Sequence, residues 1–167
     1  WIAELQMMQE TQSIVEMNLD FLPLKSYVNI VEGNALRMDW QEVLPAGECN
    51  YIMGNPPFVG FKFAAIEQKN DMKYVFADAI KPALLDYVCC WYKKAVDYMQ
   101  NTSINAAFVS TNSISQGQMA GDLWTYLLSK RIQINFAYTS FVWSNESNNK
   151  AHVHVVIIGF SLIGCNN

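Results

Sequence analysis

Apolar residues near the start of the chain recur at helical spacing. Ile2, Leu5, Met8, Val15 and Leu19 fall on one face, with Glu4, Gln9, Glu10 and Glu16 mostly off it, so residues 2–19 read as an amphipathic helix that Pro23 ends. The β-branched run Tyr27-Val28-Asn29-Ile30-Val31 then predicts a short strand stopping at Glu32-Gly33-Asn34-Ala35. After a turn around Pro45-Ala46-Gly47, the apolar run at about 50–53 predicts a second strand, which stops abruptly at Gly54-Asn55-Pro56-Pro57-Phe58. The segment from Val59 to Lys81 is mixed. It allows a short helix at about 64–76 carrying scattered lysines (Lys62, Lys69, Lys73), and it reads as a flexible flap more than a core element.

The strongest helical signal covers 83–100. Leu84, Val88, Trp91, Ala95 and Tyr98 make one stripe and Leu85, Tyr92, Val96 and Met99 the next, an apolar arc wide enough for a helix buried on most of its surface. A strand at 104–110, the polar tip Ser110-Thr111-Asn112, a helix at 118–130 and strands at 132–141 and 151–160 follow. The polar link at 144–149 joins the last two strands in a hairpin, so one of them is antiparallel to its neighbour. Alternating strands and helices closing in a hairpin imply an α/β sheet, mostly parallel, with one antiparallel strand near its edge. Ligands bind such sheets outside the carboxyl ends of the strands. Three polar tips belong there: Glu32-Gly33-Asn34, the Asn-Pro-Pro-Phe stretch and Ser110-Thr111-Asn112.

Composition narrows the classes. The 167 residues suit one domain, 1–167, and with 51% apolar and 16% charged residues the chain is globular. No apolar stretch reaches the roughly 20 residues of a membrane span, the chain opens Trp1-Ile2-Ala3-Glu4 without a basic leader, and a cytoplasmic location is expected. The start at Trp1 suggests a piece of a longer protein. A net charge of −4 gives no basic footprint, so if the chain works on DNA most of the phosphate grip lies elsewhere. Cys49, Cys89, Cys90 and Cys165 have no zinc-like spacing and read as thiols in a reducing compartment. His152 and His154 lack a third ligand at any sensible spacing, so no metal is expected. Trp91, Tyr92 and Tyr98 read as helix packing, and the pairs Lys93-Lys94 and Lys130-Arg131 as solvated faces.

Asn55-Pro56-Pro57-Phe58 carries the most chemistry. Two prolines fix two φ angles and remove two donors, leaving the Asn55 amide oxygen and the Pro56 carbonyl as acceptors beside the aromatic face of Phe58. Such a set suits an amino group on a flat ring.

The tetrad after an apolar strand resembles the catalytic signature of N6-adenine DNA methyltransferases. The longer phrase at 51–60, with Ile30-Val31-Glu32-Gly33-Asn34-Ala35-Leu36, Asp86-Tyr87-Val88, Trp91-Tyr92-Lys93-Lys94-Ala95 and the run at 153–160, resembles the methylase region of single-chain bacterial restriction-modification enzymes over nearly the whole chain. The resemblance implies a partial class I S-adenosylmethionine-dependent, Rossmann-like fold with a C-terminal antiparallel hairpin and its first strands missing, the C-terminal two-thirds of a catalytic domain. It implies Asn55, Pro56, Pro57 and Phe58 as the catalytic tip, holding a flipped adenine of double-stranded DNA. Phe58 then stacks on the base, with Phe141 or Trp143 as the second wall. Cofactor contacts fall to Asn34, where many relatives place an Asp, and to Asp86 and Tyr87. The glycine-rich cofactor loop is not in the sequence, so S-adenosylmethionine binding by this piece alone is expected to be weak or absent and the piece inactive.

Two other readings stand beside it: a methyltransferase acting on protein glutamine or RNA, which also uses an Asn-Pro-Pro-aromatic tip, and a non-catalytic structural or binding module. The Val28–Val31 strand would lack its usual neighbours, leaving an exposed apolar edge and favouring a homodimer or a swapped dimer.

Overall fold

The computed structural model describes residues 30–77, 85–143 and 153–164. Contacts divide the chain into two compact units, Trp1–Val31 and Glu32–Asn167, and the architecture below is that of the second. The expected helix over 2–19, its stop at Pro23, the first three residues of the 27–31 strand, the 144–149 link, His152 and Cys165 lie outside the described residues. Ile30 and Val31, which were expected to end a strand, are not in one. A strand needs a ladder partner, and no described strand pairs with them.

In chain order the elements are α1 (Trp40–Val43), a 3-10 turn (Ala46–Glu48), β1 (Tyr51–Gly54), a second 3-10 turn (Phe61–Phe63), α2 (Ile66–Phe76) and α3 (Cys89–Tyr98). Then come β2 (Asn105–Thr111), a third 3-10 turn (Asn112–Ser115), α4 (Gly117–Ser129), β3 (Ile132–Trp143) and β4 (Val153–Leu162). They build a mixed α/β sheet with strand order β1-β2-β4-β3. β1 runs parallel to β2, whereas β4 is antiparallel to both β2 and β3. Three strands thus point one way and β4 the other, so β3 and β4 are antiparallel as the hairpin reading requires, while the described sheet, with one parallel and two antiparallel ladders, is mixed rather than mostly parallel.

The core lies between the sheet and α3. Ala106, Phe108 and Ser110 alternate as the buried face of β2. The fully buried ring of Tyr92 stacks on Phe160 at 5.3 Å and meets Phe108 edge-on at 5.1 Å, while its hydroxyl shares a 2.8 Å hydrogen bond with Ser110. The aromatic-rich helix is therefore a packing element. Leu123 and Leu127, one turn apart on α4, are buried as well.

Two expectations need correction. The long helix begins at Cys89 rather than near 83, because the N–H groups just before it are engaged elsewhere: Tyr87 donates to the Val59 carbonyl (2.9 Å) and Asp86 to the Met119 sulfur (3.1 Å). And α2 is not a flap. Its Met72, Val75 and Phe76 belong to the hydrophobic core, and Gln68 caps its start by accepting from the Ala65 N–H (2.9 Å).

Candidate functional site

The Asn-Pro-Pro-Phe tip is set by the strand before it. Gly54 ends β1 opposite Phe108, and a Cβ there would stand 3.2 Å from the Phe108 ring, so glycine lets the strand lie close against the core. From there the chain leaves the sheet at its carboxyl end. Pro56 is buried and anchors the turn, Asn55 and Pro57 are exposed, and Phe58 is half-buried. Among the described residues nothing hydrogen-bonds the Asn55 amide or the Pro56 carbonyl; the bonds in this stretch start one residue later, with Val59 N–H donating to the Pro57 carbonyl (3.1 Å). Among the described residues both acceptors are unengaged.

The segment after the tetrad is clamped by Asp86 and Tyr87. Val59 accepts from the Tyr87 backbone, as above, and the Phe61 N–H donates to Asp86 Oδ1 at 3.2 Å. The other Asp86 oxygen accepts from Ser113 Oγ (2.5 Å), which is itself bonded to Thr111 Oγ1 (2.8 Å). One carboxylate thus ties the tip after β1 to the tip after β2. Asp86 and Tyr87 were expected to line a cofactor pocket; their polar groups are directed at protein partners, which makes them the frame between two loops.

The third tip reaches the same frame through a buried carboxylate that the sequence reading passed over. Asp71 on α2 is only 6% exposed. It accepts from Arg37 Nε (2.6 Å), Asn34 Nδ2 (3.0 Å) and the Tyr87 hydroxyl (2.8 Å). Burial by itself raises its carboxyl, and the bonds from Asn34, Arg37 and Tyr87 outweigh that, leaving it below its ordinary value. Burial, and then the bond to Asp71, pushes Tyr87 far up, so it is a neutral phenol and a steady donor. Asn34 also accepts the Leu36 N–H on Oδ1 (3.0 Å), while its backbone carbonyl closes a turn with Arg37 (2.8 Å) and Met38 (3.0 Å). It is a turn residue by geometry, with an exposed amide that keeps one N–H and one acceptor position spare.

Lys94 holds that turn from the other side, donating to the carbonyls of Met38 (2.6 Å) and Leu36 (3.4 Å). This corrects its reading as part of a solvated pair. Lys93 is half-buried and pairs with Asp97 one turn on.

The structure therefore joins Asn34, Asp86, Tyr87 and the segment leaving Phe58 into one hydrogen-bonded assembly. Phe141 and Trp143 lie at the same end of the sheet but on β3, with β4 and β2 between them and β1. Phe141 is level with Val155 and, through it, with Thr111; the backbone of Trp143 pairs with Val153. Asp71, Arg37, Lys94 and Ser113 were missed, since their roles depend on partners 16 to 58 residues away in sequence. Among the described residues no cluster of His, Cys, Asp and Glu could hold a metal, and no helix is long and apolar enough to cross a membrane.

Comparison with known proteins gives this assembly its context. Residues 1–166 match the family model described as MmeI, DNA-methyltransferase domain. DNA methyltransferase A of Bacillus subtilis (strain 168) is 43% identical over 163 residues, which is 96% of this chain and 18% of that protein. The Type IIL restriction-modification enzyme MmeI, solved in complex with DNA, superposes with a TM-score of 0.81 at 46% identity, over 92% of this chain and 21% of that one. The chain spans about a fifth of the length of these relatives. On the family match and these two likenesses together, the chain belongs to the MmeI DNA-methyltransferase domain family.

Proposed function

We propose that this chain carries the base-handling half of an adenine-N6 DNA methyltransferase of a restriction-modification system, on a partial Rossmann-like fold. The observation that carries the reading is the pair of unengaged acceptors, the Asn55 amide and the Pro56 carbonyl, on a turn stiffened by two prolines. The amino lone pair of adenine is delocalised into its ring, so the amine is a poor nucleophile. Two fixed acceptors that take its N–H groups draw the nitrogen toward a tetrahedral shape and aim the lone pair outward. They also stabilise the positive charge that develops as the nitrogen–methyl bond forms, and the surplus N6 proton then leaves to water.

S-adenosylmethionine, when bound, supplies the electrophilic methyl group and departs as the sulfide. The donor set fits it at one point: the oriented amide of Asn34 offers one donor and one acceptor, the pattern that matches an adenine edge. Asp86 and Tyr87 shape the pocket from behind by holding the loops that form it. The base must leave the duplex to reach Asn55, and Phe58, half-buried beside it, is the stacking face; Phe141 or Trp143, on β3 at the same end of the sheet, is the proposed second wall. Double-stranded DNA is the proposed partner and the bacterial cytoplasm the proposed compartment.

The test is transfer of labelled methyl from S-adenosylmethionine by the native full-length protein to duplex DNA, RNA and protein in parallel. Label on DNA as N6-methyladenine is the expected result. Label on protein or RNA alone would sink the reading, and the absence of cofactor binding would favour a non-catalytic module.

A further inference from the structure

We infer that Asp71 is a positioning residue that couples the Asn34 turn to the Asn-Pro-Pro-Phe tip, so that cofactor-side and base-side geometry are set together by one buried carboxylate. The inference rests on the functional reading above and concerns how its two halves are joined.

The path is short. Asp71 Oδ2 accepts from both the Asn34 amide (3.0 Å) and the Tyr87 hydroxyl (2.8 Å). Tyr87 in turn donates its backbone N–H to Val59 (2.9 Å), two residues beyond Pro57. A single oxygen thus links the side chain at one tip to the residue that pins the other. Oδ1 is occupied by Arg37 (2.6 Å), whose guanidinium also lies 4.5 Å over the Tyr74 ring, so the carboxylate cannot turn without breaking that arrangement.

Stability alone is a poor explanation for such a group. Asp71 is buried while its partner Arg37 keeps 43% of its side chain exposed, and well-packed apolar residues in place of a desolvated charge often do as well or better for stability. What a carboxylate with three donors supplies is direction. Asn34 illustrates this: its amide oxygen faces the Leu36 N–H and its nitrogen faces Asp71, so the two contacts together set the flip of the amide, and Asp71 fixes the direction of its nitrogen. Supporting contacts of this kind, one step behind the binding group, typically matter by about 10–100-fold in affinity or activity where they have been measured at metal sites.

The experiment uses the native full-length protein and three single variants, Asp71→Asn, Asn34→Ala and Tyr87→Phe, with the double variant Asn34→Ala/Tyr87→Phe. S-adenosylmethionine affinity is read by direct titration and kcat by methyl transfer to DNA. Asp71→Asn is expected to weaken cofactor binding about tenfold and to lower kcat as well. Tyr87→Phe removes only the hydroxyl, keeps the ring that meets Trp91 edge-on at 5.1 Å, and touches none of Asn34's own bonds. It should still weaken cofactor binding several-fold. In the double variant the loss in affinity should be smaller than the product of the single losses.

Should Asp71→Asn fail to fold, the Asn34–Tyr87 cycle carries the test. Single losses that multiply, or a Tyr87→Phe protein with unchanged cofactor affinity, would overturn the coupling while leaving the functional reading intact. A wild-type protein that binds no S-adenosylmethionine would overturn both.

Discussion

Asp71 holds its charge where burial opposes one, and this makes its titration a measurable part of the fold. Its folded-state value lies below the ordinary carboxylate value of about 3.8. A lowered folded value means that the ionised form stabilises the native state above the unfolded-state pKa, and that this contribution fades as pH falls through the folded value. Thermal unfolding of the wild type should therefore drop steeply below about pH 4, and Asp71→Asn, already less stable at neutral pH, should lose less over the same window. Identical acid limbs for the two proteins would contradict the account. At this scale the sequence was uneven. Asn55, Pro56 and Pro57 were legible because prolines limit their own backbone whatever surrounds them. Asp71 was not, because a carboxylate in a mixed segment reads as solvated until its donors, Arg37 34 residues before and Tyr87 16 residues after, are seen beside it.

Local pattern located most elements to within two or three residues. β1, β2 and α4 lie close to their expected limits because apolar alternation and helical spacing report burial directly. The start of α3 was misplaced by about six residues, since the residues just before it continue the apolar pattern while giving their N–H groups to Val59 and Met119. Taking α2 for a flap has a similar cause: Lys73 is exposed and Lys69 half-buried, while Met72, Val75 and Phe76 enter the core. Lys94 shows what one side chain on α3 contributes to a neighbouring turn. In Lys94→Met the Leu36 and Met38 carbonyls lose their donor, and a stability loss of about 1–3 kcal/mol is expected, together with weaker S-adenosylmethionine binding. Denaturant midpoints and cofactor titration check this, and a variant as stable as wild type with unaltered binding would show that the turn holds itself.

On the scale of the whole molecule, the reversed strand was readable from the hairpin, but the strand order was not; it places β2 and β4 between β1 and the strand that carries Phe141 and Trp143. Among the described residues β1 has one neighbour, β2, and its Tyr51 and Met53 are 70% and 82% exposed. An apolar strand edge of this kind invites pairing with another copy. The 167-residue chain on its own is expected to self-associate, with a light-scattering mass above the 19.0 kDa of one copy; a monodisperse monomer would count against that. The central claim, however, concerns two acceptors at one turn. It is tested most directly by digesting duplex DNA after incubation with S-adenosylmethionine and the native full-length protein, wild type or Asn55→Ala, and identifying the methylated nucleoside. The account predicts N6-methyladenine with the wild type and a loss of at least about 100-fold in rate with Asn55→Ala, with cofactor affinity retained. Methylated cytosine, or an Asn55→Ala protein that methylates adenine at the wild-type rate, would contradict it.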